Sequence, residues 1–119
     1  MRVMVIGAST HRDKFGNKAV RAYQRQGHDV LPVHPTAKSI EGTPAYADVR
    51  DVPGPTDRAT LYLPPEKGLP VIEQLAERGD VRELWVNPGA ESPPLIDKAK
   101  QLGFEVIQAC SIVDIGETP

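Results

Sequence analysis

Small residues, hydroxyls and cations gather early in the chain, where Gly7-Ala8-Ser9-Thr10 follows a short apolar run and is followed in turn by Arg12 and Lys14. Free backbone N–H groups in such a loop, two positive side chains and the approach to a helix N-terminus suit an anionic phosphate. Three further segments place turn-forming residues after apolar runs: Val33-His34-Pro35 with Lys38 nearby, Leu63-Pro64-Pro65, and Asn87-Pro88-Gly89. These four loops are the candidate ligand-binding set. Signals for catalysis are weaker. No Gly-x-Ser-x-Gly elbow presents a nucleophilic serine. Glu66 and Glu91 stand at helix starts, where acidic side chains favour the helix dipole. His28 sits in a turn, and His11 and His34 lack a third ligand at a metal spacing. The residues therefore assign no catalytic group and no metal ligand.

Two common phosphate-binding motifs are absent. A dinucleotide fingerprint needs G-x-G-x-x-G after the first strand, but the next glycine after Gly7 is Gly16. It also needs an acid at the end of the second strand for a ribose diol, and Val33-His34-Pro35 stands there instead. No glycine-rich loop ends in Gly-Lys-Ser/Thr, so a P-loop is absent as well. NAD is thereby disfavoured.

The elements that must position the loops follow from hydrophobic pattern. Val3 to Ile6 reads as a strand buried on both faces. Ala19, Val20 and Tyr23 give an amphipathic helix over 18–26, with Asn17 expected to cap it and Gly27 to close it. Asp29 to Val33 is a second strand, carrying an internal Pro32. Residues 36–57 form a long Pro/Gly/Thr-rich connection with one helical turn near Ala47–Asp51. Ala59 to Leu63 is a third strand, and Pro65 opens a helix whose apolar positions are Leu69, Ile72, Leu75 and Ala76. Glu83 to Val86 is a fourth strand. Ser92-Pro93-Pro94 begins a helix that ends at Gly103, and a fifth strand runs from Glu105 toward Cys110. The tail from Ile112 reads as peripheral.

This alternation predicts an α/β, Rossmann-like domain over residues 1–119, with a five-stranded parallel sheet and helices on both faces. Counting strands along the chain, the expected order is 3-2-1-4-5, which puts the strand-order reversal, and the ligand, between the first and fourth strands.

Composition narrows the partners. With 119 residues, 39% hydrophobic and 25% charged, the chain has the makeup of one globular domain and not of a disordered segment. Fourteen Lys+Arg against sixteen Asp+Glu give a formal charge of -2, so no global basic field favours nucleic acid or an anionic membrane. No apolar run reaches the roughly 18 residues of a membrane span. One cysteine excludes an intrachain disulfide, and a cytoplasmic location is expected.

Across almost its full length the chain resembles the small stand-alone CoA-binding proteins, whose fold is that of the N-terminal CoA-binding domain of the succinyl-CoA synthetase α subunit. The matching pieces run in order. They are Val5-Ile6-Gly7-Ala8-Ser9, the stretch from Gly27 through Pro35 with Ile40-Glu41-Gly42 after it, Pro64-Pro65-Glu66, the stretch from Glu83 through Glu91, and Cys110. The resemblance implies that coenzyme A or a short acyl-CoA is the ligand. It implies phosphate contacts at Gly7, Ala8, Ser9, Arg12 and Lys14, and adenosine contacts at Val33, Pro35, Lys38, Leu63 and Pro64. The chain departs from the family's pattern at His34, where asparagine is common, and at Asn87, where glutamine is common. The phosphorylated histidine of the larger synthetases belongs to a domain beyond the matched region, so none of the three histidines inherits that role.

The expectation is a CoA-binding protein that serves as a carrier, sensor or regulatory partner, with no catalysis of its own; its protein partner is unreadable. Two alternatives stay open, an enzyme acting on a small acyl-thioester or phosphorylated substrate and an interaction module with a vestigial cleft. Cys110 reads first as a small, partly buried apolar residue. A sharper expectation is that the pantetheine arm reaches it for thiol–disulfide exchange.

Overall fold

A computed structural model describes residues 1–119. Strands β1 (Arg2–Ile6), β2 (Asp29–Val33), β5 (Arg58–Leu61), β6 (Glu83–Val86) and β7 (Glu105–Ile107) form one parallel sheet, and β3 (Ser39–Ile40) pairs with β4 (Thr43–Pro44) in a small hairpin. The helices are α1 (Phe15–Arg25), α2 (Pro65–Arg78), α3 (Pro93–Gln101) and α4 (Ser111–Asp114), with a 3-10 turn at Val49–Asp51. None of them is long and apolar enough to cross a membrane.

The unbroken apolar run of β1 is explained by burial on both faces. Met4 and Ile6 enter a core shared with Leu61 of β5, Leu84 of β6, Ile72 and Leu75 of α2, and Leu95 of α3. Val3 and Val5 enter a second core on the opposite face, with Ala19, Val20 and Tyr23 of α1 and Ile112 of α4. Each fully buried side chain of this size contributes roughly 1.5–3 kcal/mol. Pro32 is tolerated because β2 is the edge strand of the main sheet: β1 pairs with one side along its length, and on the other side the Tyr46 N–H donates to the Pro32 carbonyl and asks for no Pro32 N–H.

The five-stranded parallel sheet with helices on both faces is as expected, but the strand order is not. Observed neighbours run β2-β1-β5-β6-β7, which in strands of the main sheet counted along the chain is 2-1-3-4-5 and not 3-2-1-4-5. The cause is the route of residues 34–57. Tyr46 bridges back to Val33, the 3-10 turn joins the α2 core through Val49 and Val52, and the Asp57 N–H donates to the Arg2 carbonyl at 2.9 Å. The chain thus arrives on the free side of β1, and β5 enters in the register Val3↔Arg58 to Ile6↔Leu61. The order reverses between β1 and β5, which moves the ligand crevice from between the first and fourth strands to between the first and third.

Local expectations shift in similar ways. The first helix begins at Phe15, and Asn17 is not its cap. It lies inside the first turn, fully buried, with Nδ2 donating to the Ser9 carbonyl at 2.9 Å. Gly27 does close the helix in a left-handed conformation (φ 78°), its N–H donating to Gln24 O and that of His28 to Tyr23 O. Ser92 caps α3 by accepting from the Leu95 N–H at 3.2 Å. The tail is not peripheral. Ser111 and Ile112 are fully buried, and Asp114 accepts from Arg58, whose guanidinium also reaches Tyr23 Oη and Glu83 and stacks on Trp85. The fifth strand stops at Ile107, and Cys110 is the half-buried residue that precedes α4.

Candidate functional site

At the carboxyl ends of β1 and β5 the backbones come too close for a side chain at Gly7. Its φ is +88°, and a Cβ there would stand 3.0 Å from the Tyr62 carbonyl carbon. Gly16, in the first turn of α1, packs closer still, since a Cβ would lie 2.1 Å from the Gly7 carbonyl oxygen. Two glycines nine positions apart therefore seat the helix N-terminus directly on the strand end, the close approach that a G-x-G-x-x-G loop achieves with tighter spacing. The Phe15 and Gly16 N–H groups have no backbone acceptor and remain available to an anion.

Two clefts meet at Gly7. The first, about 310 Å³, has Lys14, Phe15 and Gly16 on the helix side and Tyr62, Pro64, Pro88 and Gly89 on the other. Lys14 is exposed and makes no ion pair. Burial pushes the Tyr62 phenol up to about 12, against the opposing effect of its hydrogen bond with Ser111, so the ring is neutral and presents no negative charge to a phosphate. The second cleft, about 230 Å³, lies between the ends of β2 and β5. Val33 and Pro35 form one wall and Leu63 and Val71 the other, with Asp48, Lys67 and Gln74 at its polar margin. The side-chain hydrogen bond from Arg50 holds the Asp48 carboxyl down at about 2. Together the clefts have the size, and the second the apolar lining, of a small-molecule site.

Seven of the fifteen expected positions line neither cleft. Among the expected residues, Gly7, Lys14, Pro64, Pro88 and Gly89 line the first cleft and Gly7, Val33, Pro35 and Leu63 the second. Ala8 and Ser9 are buried behind the first loop, where the Ser9 hydroxyl accepts from the His11 N–H at 3.0 Å, and Thr10 is exposed beside them. Arg12 points to Glu41 of the β3–β4 turn at 2.6 Å. His34 Nδ1 accepts from the Thr36 and Ala37 N–H groups and shapes its own turn. Lys38 is exposed and lines neither cleft. Asn87 is buried with its side chain committed: Nδ2 donates to Thr60 Oγ1 at 2.7 Å and Leu61 O at 3.0 Å, and Oδ1 accepts from the Ser111 N–H at 2.9 Å. It positions the Pro88–Gly89 rim from beneath. Cys110 lies beside Trp85 and Val113 and lines neither cleft, although the next residue, Ser111, hydrogen-bonds the Tyr62 phenol of the first cleft.

Sequence reasoning missed Phe15, Gly16 and Tyr62 in the first cleft and, besides the apolar Ile6, Ala47 and Val49, the residues Asp48, Lys67, Val71 and Gln74 in the second. A signal for the last three was present. Lys67, Val71 and Gln74 recur at i, i+4 and i+7, a second face of α2 beside the core face of Gly68, Ile72 and Leu75.

A family model described as a CoA binding domain matches residues 1–116. The uncharacterized protein YneT of Bacillus subtilis is 26% identical over 106 residues, covering 89% of this chain and 78% of that protein. The alpha subunit of an ADP-forming acetate–CoA ligase II from Pyrococcus furiosus is 25% identical over 115 residues, covering 88% of this chain, which spans only 25% of that subunit. Among solved structures, a conserved hypothetical protein from Pyrococcus furiosus superposes with a TM-score of 0.88 at 33% identity, covering 95% of this chain and 97% of that one.

Proposed function

We infer that this chain, which belongs to the CoA-binding domain family, binds coenzyme A or a short acyl-CoA across the two clefts and acts as a carrier, sensor or regulatory partner without catalysis of its own. The observation that carries the reading is the meeting of two chemically different clefts at Gly7. An adenine fits the apolar slot between Val33 and Leu63. The diphosphate crosses at Gly7, where the Phe15 and Gly16 N–H groups and Lys14 supply donors and charge. The pantetheine arm leaves along Tyr62, Pro88 and Gly89. The ligase subunit that the chain resembles acts on CoA by its name, which supports the same ligand here.

The carboxylate that would hold a nicotinamide dinucleotide's ribose is absent from the end of β2, where Val33 is followed by His34 and Pro35. Neither cleft pairs a nucleophile with a base, which favours binding over turnover. Calorimetric titration with CoA, acetyl-CoA, NAD and ATP in parallel tests the reading. CoA and acetyl-CoA are expected to bind most tightly, and NAD binding as tight as CoA would overturn it.

A further inference from the structure

We propose that Gln74 selects the base, by holding the 6-amino group of an adenine seated in the second cleft; this rests on the coenzyme A reading above. A flat heteroaromatic ring between Val33 and Leu63 gains apolar contact from both walls, but apolar walls do not tell one purine from another. Selection needs a polar side chain whose donors and acceptors are free. Three border the cleft: Asp48, Lys67 and Gln74.

Their hydrogen-bonding capacities separate them. Adenine presents an amino donor beside a ring-nitrogen acceptor on either edge that carries the amine, so its partner must accept and donate at adjacent positions. Asp48 only accepts, and both its oxygens already take bonds from Arg50: Oδ1 from the backbone N–H at 2.8 Å and Nε at 3.0 Å, Oδ2 from Nη2 at 2.7 Å. Lys67 only donates and suits a phosphate, not an amine. Gln74 is half-buried at the cleft, and its carboxamide makes no hydrogen bond within the protein. It alone offers Oε1 to accept from the amino group while Nε2 donates to the neighbouring ring nitrogen. A purine without the amine leaves Oε1 facing the ring unpaired as water is excluded, and that loss is the source of discrimination.

The test compares coenzyme A with its analogue in which purine, lacking the 6-amino group, replaces adenine. Calorimetry on the wild-type protein should show the analogue weaker by about tenfold or more. In Gln74→Leu the two ligands should bind alike, with the melting temperature of the free protein unchanged. Gln74→Asn, which keeps the amide but withdraws it by one methylene, should lose the preference as well and serves if the leucine variant folds poorly. Wild type that binds both ligands equally, or a leucine variant that still prefers the amine, overturns the role of Gln74 while leaving coenzyme A binding intact. Wild type that binds neither ligand overturns the coenzyme A reading itself, and this proposal with it.

Discussion

The cations near the site differ in what they already do, and that decides their value to a ligand. Lys14 lines the first cleft with no ion-pair partner, whereas Arg12 is held by Glu41 and Lys38 stands outside both clefts. Lys14→Ala is therefore expected to weaken CoA binding about tenfold, the lower end of roughly 1.5–3 kcal/mol for a hydrogen bond to a charged group. The free protein should melt unchanged. Arg12→Ala should cost less, because its charge is shared with Glu41, and Lys38→Ala should leave affinity within about twofold. Titrations at low and high salt check the assignment, since the Lys14 effect must shrink as ions screen it; an effect larger for Lys38 than for Lys14 would refute the placement. At this scale the first loop was legible because Gly7, Ser9 and the cations are contiguous in the chain. For Lys67 and Gln74 the spacing shows a shared face of α2 but not a site, because nothing in the sequence fixes which strand end that face overhangs.

The first turn of α1 is seated on the end of β1 by the close approach of Gly16 to Gly7. Replacing Gly16 with alanine drives a Cβ to within 2.1 Å of the Gly7 carbonyl, so the helix must lift from the strand end. The expected outcome is a loss of roughly 1–3 kcal/mol in stability together with loss of CoA binding. Gly27→Ala is the contrast. A Cβ there meets nothing within 4 Å, and only the left-handed backbone opposes it, so about 1 kcal/mol should be lost with affinity kept. Paired denaturation and calorimetry on the two variants separate site geometry from general stability. Asn87→Ala makes a third case: it strips the buried Ser111 N–H of its acceptor and should cost about 1–3 kcal/mol while loosening the Pro88–Gly89 rim, read as weaker acetyl-CoA binding. Strand positions, the helix starts at Pro65 and Pro93 and the closing glycines were legible because period and turn chemistry are local, whereas the start of α1 was not. Strand order was not. The same apolar strand satisfies either neighbour, and the choice was made by long-range contacts of residues 34–57, apolar at Val49 and Val52 and polar at Arg78 and Arg2, that no local pattern records.

One of the clusters that tie down the connection setting this order makes the whole molecule sensitive to acid. Arg78, at the end of α2, donates to the carbonyls of Val49 and Val52, while its Nε and Nη2 hold Asp80 at 3.0 and 2.8 Å. Asp80 in turn accepts from the Thr56 N–H at 3.1 Å, just before the chain enters β5. The Arg78 hydrogen bonds lower the Asp80 pKa below its ordinary value, and those of Arg50 hold Asp48, on the same connection, at about 2. A carboxylate whose folded pKa lies below its unfolded value, about 3.9, stabilises the fold fully above that value. The contribution fades as pH falls through the folded value. Asp80→Asn keeps an acceptor for Thr56 but removes the charge. Both partners are partly screened by solvent, so about 1 kcal/mol, or a few degrees in Tm, is expected at pH 7. Thermal melts followed by circular dichroism between pH 7 and about 2.5 should show the gap between wild type and variant narrowing below about pH 4 as the wild-type carboxylate takes up its proton. A gap that stays constant across that range would mean that the asparagine disturbs packing, and that the ion pair does not hold the crossover in place.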